Sequence, residues 1–293
     1  MAIKLGGGGG SASQINEVVN LGTNADTVTL ADGRVYLKGG LLETNLSTYP
    51  NAFSAWKPLS SGWSVGDSAP QTLDFFDNHF WICGNTGNSV VKYTSSGSYV
   101  SSFPVNVASE NAPAGITNDG TDLWVYGAYN SRVYRYTTAG AYQNSFLVTT
   151  QIPSQAGKGI VYDGTSFWII NTSTAVVHKY NSSFVYQNVS FSVGTQTAYP
   201  KDITWDGTYF WVAAGIGAAY GGMKVYKYNS SGVYQNEFFD TPSVNNGALA
   251  GVVWDGTDFY IMGNQQRRVA QYSQAVGVPS VTTSGGQNYV RVA

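Results

Sequence analysis

Two carboxylic acids are the residues of this chain whose type and placement could support catalysis. Asp74 and Asp202 lie in short apolar segments that begin repeats of the sequence, and Asp202 stands where most repeats have glycine. Glycoside hydrolysis requires two carboxyl groups roughly 5–10 Å apart on either side of a cleft. Two isolated carboxyl groups facing a channel could instead bind a cation or water. The pair makes a carbohydrate-active enzyme an alternative function, and we assign neither aspartate a catalytic role.

The two histidines and the single cysteine are expected to have structural roles. His79 and His178 lie in strand-like segments, and neither a third histidine nor cysteine partners could complete a zinc site with them. No Gly-x-Ser-x-Gly segment accompanies them. Cys83 follows Phe-Trp-Ile, so we interpret it as a small buried residue, and it can form no intrachain disulfide. We predict no metal, no cofactor and no enzymatic activity.

Five aspartates recur at equivalent positions, and their repetition assigns them to turns. Each is followed by Gly or Asn and then by an apolar-aromatic run, and the Asp-Gly dipeptide is typical of a tight hairpin turn. A calcium ion needs six to eight oxygen ligands, and one such turn offers too few. The five segments run from Asp77 to Trp81, from Asp119 to Trp124, from Asp163 to Trp168, from Asp206 to Trp211 and from Asp255 to Tyr260.

The spacing of these segments indicates the fold. Their aromatic ends recur at intervals of 43, 44, 43 and 49 residues, and the longer interval comes from a glycine-rich insertion at 213–223. Each repeat contains a short apolar strand, the Asp-Gly turn, a second strand that is apolar on both faces, a third strand and a polar fourth strand. Four-stranded repeats of this length are typical of propeller blades. The sequence predicts an all-β protein with a five-bladed β-propeller at residues 57–282.

A five-bladed ring has to close, and the fifth repeat lacks a convincing fourth strand. The other repeats end in an aromatic residue, whereas the segment after Tyr272 has none. Leu59–Val65 matches Tyr99–Val105, so we expect residues near 59–65 to complete the last blade. Such closure removes exposed strand edges. The closing aromatics of the first four repeats are Phe103, Phe146, Phe191 and Phe238.

The two ends of the chain do not share the repeat. Residues 1–56 are predicted to form an N-terminal attachment arm, in which Asp32-Gly33 joins two strand-like segments in a β-hairpin. Residues 283–293 are predicted to form a C-terminal strand or tail. Because neither end can bury much surface alone, we expect each to order against another subunit. A disordered tail is the alternative.

The N-terminal arm resembles a module of tailed-phage virion proteins, in Met1–Asn16, Ala25–Gly39 and Ser47–Pro50. It is similar to arms on tail-fibre-like and other structural proteins of marine and environmental phages, and Tyr289-Val-Arg-Val resembles their C-terminal end. The Asp-Gly-Thr-x-x-Trp repeat also occurs in phage fibre proteins, although cellular propellers share it. The resemblance implies a virion structural protein, made in the host cytoplasm without a signal peptide, that contacts other virion proteins through residues 1–56. We expect a homo-oligomer in the particle. The resemblance does not specify whether the protein is located on the tail, the neck or the head.

We predict that the loops between the second and third strands carry the binding residues. They differ between repeats, whereas the Asp-Gly turns hardly vary, and recognition commonly resides in variable loops on a fixed scaffold. An aromatic face beside amide groups suits a host-surface glycan or protein. The alternative is that these polar loops are merely solvated. The candidate contacts are Tyr129, Asn130, Tyr220, Asn264, Gln265 and Arg267.

Composition excludes some partners and leaves three functions open. The net charge of −2, with fifteen scattered Lys and Arg residues, argues against nucleic acid. No segment approaches the roughly 20 apolar residues of a membrane span, so we expect no membrane insertion. The leading hypothesis is a non-enzymatic virion protein that recognises the host surface or braces the particle. The alternatives are a carbohydrate-active enzyme, such as a glycan depolymerase, and a free lectin-like module.

Overall fold

The secondary structure of the described residues consists of antiparallel strands, which we number β1–β27 in chain order, and these residues contain no helix. The chain divides into a propeller unit, Trp56–Ser273, and a terminal unit, Met1–Ala55 with Gln274–Ala293. The computed structural model describes residues 2–4, 18–20, 27–29, 35–38, 56–58, 62–105, 112–215, 223–241, 249–274, 281–284 and 287–292.

The terminal unit contains two small sheets. One is the antiparallel pair β1–β2, and the other has the strand order β26-β27-β4-β3. The hairpin β3–β4 is the one predicted around Asp32-Gly33, and Val28 lies opposite Tyr36 in it. The strands are β1 (Ala2–Lys4), β2 (Val18–Asn20), β3 (Thr27–Thr29), β4 (Val35–Lys38), β26 (Val281–Ser284) and β27 (Gln287–Val292).

Strands from the two chain ends pair with each other. β27 pairs with β4, so that Val290 lies opposite Leu37. β26 pairs with β27 in the same unit, and the predicted boundary at residue 282 falls within β26. That each end orders against another subunit stays a prediction.

The propeller unit contains five antiparallel sheets, and in the first four the strands follow chain order. Blade 1 contains β7 (Pro70–Phe76), β8 (His79–Gly84), β9 (Ser89–Thr94) and β10 (Tyr99–Pro104); blade 2 contains β11 (Pro113–Asn118), β12 (Leu123–Gly127), β13 (Arg132–Tyr136) and β14 (Tyr142–Leu147); blade 3 contains β15 (Gly157–Tyr162), β16 (Phe167–Asn171), β17 (Val176–Tyr180) and β18 (Tyr186–Ser192); blade 4 contains β19 (Pro200–Trp205), β20 (Tyr209–Gly215), β21 (Met223–Asn229) and β22 (Tyr234–Asp240). Blade 5 contains β23 (Leu249–Trp254), β24 (Phe259–Gly263) and β25 (Arg268–Gln274), followed by β5 (Trp56–Pro58) and β6 (Trp63–Ser64) from the start of the unit.

The five blades form a closed ring. The first strand of each blade, which is the innermost, packs against the first strands of both neighbouring blades, in the order β7, β11, β15, β19, β23 and back to β7. β6 pairs with β25, so that Trp63 lies opposite Val269, and the Val65 N–H donates to the Arg267 carbonyl at 2.6 Å. The predicted five-bladed propeller is confirmed, and its last blade is completed by the predicted segment.

The repeated aspartate joins its turn to the tryptophan of the second strand. Asp119 Oδ1 accepts hydrogen bonds from the backbone N–H groups of Thr121 and Asp122, and Oδ2 accepts one from Trp124 Nε1 at 2.9 Å. Asp163 and Asp206 make the same set of contacts. Burial alone would raise the pKa of Asp163, but these hydrogen bonds hold it below its usual value. The assignment of these aspartates to turns is thus explained by their contacts.

A cation from the third strand lies over each of these tryptophans. In blade 1, Lys92 Nζ is 4.7 Å from the centre of the Trp81 ring, and blades 2, 3 and 4 repeat the arrangement with Arg135, Lys179 and Lys227. In blade 5 both residues differ, because Tyr260 takes the place of the tryptophan and lies opposite Gln271, which takes the place of the cation. These basic residues stabilise the blades through cation–π contacts.

Neighbouring blades also pack at their outer edges. The closing aromatic of one blade lies beneath the glycine in the last turn of the next blade, as Phe103 lies beneath Gly140. Blade 3 has Phe184 at the glycine position, with a φ of 55°, and its ring stacks on Phe146. The predicted closing aromatic of blade 4, Phe238, is wrong by one residue. Val225 lies opposite Phe239, as Val177 lies opposite Phe191 in blade 3.

Candidate functional site

Several buried or half-buried polar side chains lie on the innermost strands, around the axis of the ring. Because the five innermost strands are in register, residues at equivalent positions form layers around the axis, with one residue from each blade in a layer. In the second layer two blades have alanine, and in the third layer three blades have glycine. The second layer is Gln71, Ala114, Lys158, Lys201 and Ala250, and the third is Thr72, Gly115, Gly159, Asp202 and Gly251.

Asp202 connects three blades. Its Oδ2 accepts a hydrogen bond from Thr72 Oγ1 of blade 1 at 2.6 Å and another from the Val252 N–H of blade 5 at 2.9 Å. A Cβ atom on Gly159 would overlap Asp202, and one on Gly251 would lie 3.0 Å from Asp202 Oδ2. The glycines of this layer therefore leave the space that the Asp202 side chain fills.

Burial changes the protonation of both innermost carboxyl groups. It raises the pKa of Asp202 to about 8, although the hydrogen bonds from Thr72 and Val252 act in the opposite direction. Burial likewise raises the pKa of Asp74 to about 7, against the opposing hydrogen bond from Asn118 Nδ2 at 2.7 Å. Asp202 is consequently mostly uncharged at neutral pH, and both groups are engaged with neighbouring strands.

Lys158 reaches across the ring in the second layer. Its Nζ donates to Gln71 Oε1 at 2.6 Å, and these residues belong to blades 3 and 1, which are not neighbours. Burial lowers the pKa of Lys158, and the positive charge of Lys201 lowers it further. Among the described residues, none accepts a hydrogen bond or forms an ion pair with Lys201. The layer thus holds two ammonium groups with one amide partner.

The second layer lies at the end of the ring that carries the variable loops. Each innermost strand begins after the connection from the preceding blade, and the loops between second and third strands lie at the same end of the blade. We call this end the loop face. The Asp-Gly turns lie at the opposite end. Residues at the second layer are therefore close to any ligand bound at the centre of the loop face.

The structure places the sequence-predicted contacts on two separate blades of the loop face. Tyr129, which is 51% exposed, and Asn130 lie between β12 and β13 in blade 2. Exposed Gln265 and Arg267 lie between β24 and β25 in blade 5, and blade 1 separates the two groups. These four residues stay predictions, since they do not converge on one point.

The other two predicted contacts are Asn264, which connects two blades, and Tyr220. Asn264 is half-buried, and its Nδ2 donates to the Pro70 carbonyl at 2.8 Å, which joins blade 5 to blade 1. This contact gives Asn264 a structural role in the ring. Tyr220 lies outside the described residues.

Sequence reasoning found Asp74 and Asp202 on the innermost strands but missed Gln71, Lys158 and Lys201. The available signal was the second residue of each first strand, where long polar side chains replace alanine in three repeats. Recognising it requires knowing that the first strands share one register around an axis.

The remaining candidates for chemistry are buried or lack partners. Burial raises the pKa of the Cys83 thiol. Burial lowers the pKa of His178. In the described part of the chain, no three His, Cys, Asp or Glu side chains are grouped so that they could hold a metal ion. The same residues include no helix that is long and apolar enough to cross a membrane.

Comparison with known proteins supports the fold alone. No family model and no curated protein sequence matches this chain. Among solved structures, the glutaminyl cyclase of Myxococcus xanthus aligns with a TM-score of 0.60 and 12% identity, over 74% of this chain and 95% of that chain. The virginiamycin B lyase of Staphylococcus aureus aligns with a TM-score of 0.44 and 18% identity, over 88% of this chain and 84% of that chain. The alignment with the glutaminyl cyclase, at 12% identity, shows a shared fold alone.

Proposed function

We propose that this chain is a non-enzymatic structural protein of a tailed-phage virion, attached to the particle by its terminal unit, with the propeller displayed for host-surface recognition or particle bracing. The observation that carries the non-enzymatic part is the engagement of both innermost carboxyl groups. Asp202 is bonded to Thr72 and Val252, and Asp74 is bonded to Asn118. A general acid or base needs access to its substrate, whereas these groups connect strands.

The terminal unit supports the attachment role. Strands from both chain ends form one sheet of the terminal unit, and β3 and β26 are its edge strands. Unpaired edge strands can be extended by strands of another protein. The residues that resemble the arms of phage virion proteins include β3 and β4. A neighbouring virion protein is therefore the proposed partner of this unit.

Immunogold labelling of whole virus particles, with antibodies raised against the full chain, tests the virion role. We expect discrete labelling at one structure of the particle. Labelling that is confined to host cells, with bare particles, would contradict the proposal and favour a free lectin-like module.

A second experiment separates display from catalysis. The full chain is incubated with host polysaccharide, and the length of the polysaccharide is followed by size-exclusion chromatography. We expect no shortening, together with binding to an array of host-envelope glycans if the propeller serves recognition, or no binding if it serves bracing. Progressive shortening that is lost in the Asp202→Asn variant would favour a glycan depolymerase.

A further inference from the structure

The loop-face end of the ring has an uncompensated positive charge. Lys158 and Lys201 occupy the same layer of adjacent blades, and each ammonium group lies within electrostatic range of the other. The hydrogen bond from Lys158 goes to an uncharged amide, Gln71 Oε1. Two like charges in a partly buried layer repel each other, and an anion bound between them would relieve this repulsion.

The described carboxyl groups near this layer form no ion pair with its lysines. Asp202 lies in the adjoining layer and acts to raise the pKa of Lys158, but its hydrogen bonds are with Thr72 and Val252 rather than with either lysine. Asp67, at the loop face of blade 1, accepts a hydrogen bond from the Ala69 N–H at 2.7 Å within its own loop. None of the ion pairs between described residues includes Lys158 or Lys201.

Exposed aromatic surface lies at the same end of the ring. Tyr199 is 41% exposed and lies two residues before Lys201, on the connection into β19. An aromatic side chain of this kind can cover the apolar face of a sugar ring, while amide and ammonium groups bind its polar substituents. The Gln71 amide is engaged within the ring, because its Oε1 accepts from Lys158 and its Nε2 donates to the Ala69 carbonyl at 3.1 Å.

We infer that the centre of the loop face binds the carboxylate of an acidic sugar, with Lys158 and Lys201 as the anion-binding pair, Gln71 as the residue that positions Lys158 and Tyr199 as the aromatic contact. This inference deepens the proposed recognition function and rests on it. It names a ligand class, carboxylated saccharides of a cell surface, and places the site on the axis rather than on the loops of blades 2 and 5.

Binding of sodium glucuronate to the full chain, measured by isothermal titration calorimetry, tests the site. Glucose provides the same ring without the carboxylate, and sodium acetate provides the carboxylate without the ring. We expect glucuronate to bind more tightly than either, and to bind less tightly as salt is added. Equal binding of acetate and glucuronate would overturn the sugar site, and equal binding of glucose and glucuronate would overturn the role of the lysines.

Substitution of the lysines assigns the contacts. Lys201→Gln should weaken glucuronate binding roughly tenfold, which is the loss expected for one charge-assisted hydrogen bond. Lys92→Gln is the matched control, because it removes one positive charge that stacks on Trp81 in the blade, and it should leave the affinity unchanged. Lys158→Gln should weaken binding similarly, and circular dichroism shows whether this more buried variant folds.

The result for Lys201→Gln decides the inference even if Lys158→Gln does not fold. Unchanged glucuronate affinity in Lys201→Gln would overturn the site. Failure of this test leaves particle labelling unaffected, so it is distinguishable from failure of the virion proposal.

Discussion

The Asp202 carboxyl group is buried against three blades, and this burial links its proton to the folded ring. Its pKa is raised from 3.8 to about 8, and that of Asp74 to about 7. Near neutral pH the folded chain therefore holds protons that the unfolded chain has lost. The stability associated with these groups is fully present below about pH 4 and is lost as the pH rises toward 8.

We predict that the free energy of unfolding decreases between pH 5 and pH 8, because each retained proton contributes up to about 1.4 kcal/mol per pH unit. Asp202→Asn keeps an oxygen that can accept from Thr72 and Val252 but cannot ionise. Urea denaturation at several pH values should show a slope reduced by the contribution of one proton in this variant.

Asp163→Asn is the control for this prediction. The pKa of Asp163 is lowered, so this carboxylate is ionised in both states between pH 5 and pH 8. The variant should lose stability at every pH, because its turn contacts are weakened, while keeping the wild-type slope. Equal slopes in the wild type and Asp202→Asn would show that the buried carboxyl group is not the source of the pH dependence.

At the scale of the elements, the turn between third and fourth strands is where one blade meets the next. Gly140 has a φ of 85°, and a Cβ atom at this position would lie 2.6 Å from Phe103 of blade 1. Gly164, in the Asp-Gly turn of blade 3, has a φ of 94° but no atom within 4 Å of such a Cβ. The two glycines share a positive φ, which glycine adopts without strain and alanine does not, and they differ in packing.

Gly140→Ala should therefore destabilise the chain more than Gly164→Ala. The second variant adds only the cost of a left-handed alanine, about 1–2 kcal/mol, while the first adds overpacking of typically 1–3 kcal/mol. Urea denaturation of both variants measures the difference. Equal losses of stability would mean that the contact between blades is loose at its outer edge.

The elements that the sequence predicted are those set by short-range patterns. Asp-Gly turns with positive φ at Gly120 and its equivalents, alternating strands and the hairpin around Asp32-Gly33 all depend on neighbouring residues. The shift from Phe238 to Phe239 was missed, because the two phenylalanines are adjacent and residue types alone do not show which one lies opposite Val225. The pair Lys158–Gln71 was missed because it joins blades that are not neighbours in the ring.

At the scale of the whole molecule, the ring is closed by strands from its own beginning. β5 and β6 complete the sheet of β23, β24 and β25, and Trp63 packs against Tyr93 of blade 1 with ring centres 5.0 Å apart. Closure therefore joins the two ends of the propeller unit without a covalent bond. The match between Leu59–Val65 and Tyr99–Val105 was sufficient to predict it, whereas the pairing of β4 with β27 had no comparable signal in the sequence.

Two truncated chains test this closure. A chain that begins at residue 56 keeps β5 and β6, so it should unfold cooperatively, with a stability close to that of the full chain. A chain that begins at residue 66 also lacks Trp63, which is half-buried, so that its loss should cost less than the roughly 3–5 kcal/mol typical of a fully buried tryptophan. It should unfold at much lower urea concentration, and hydrogen exchange of β25 should accelerate because its outer edge loses its pairing partner. Equal stability of the two chains would show that the ring holds together without the strands that close it.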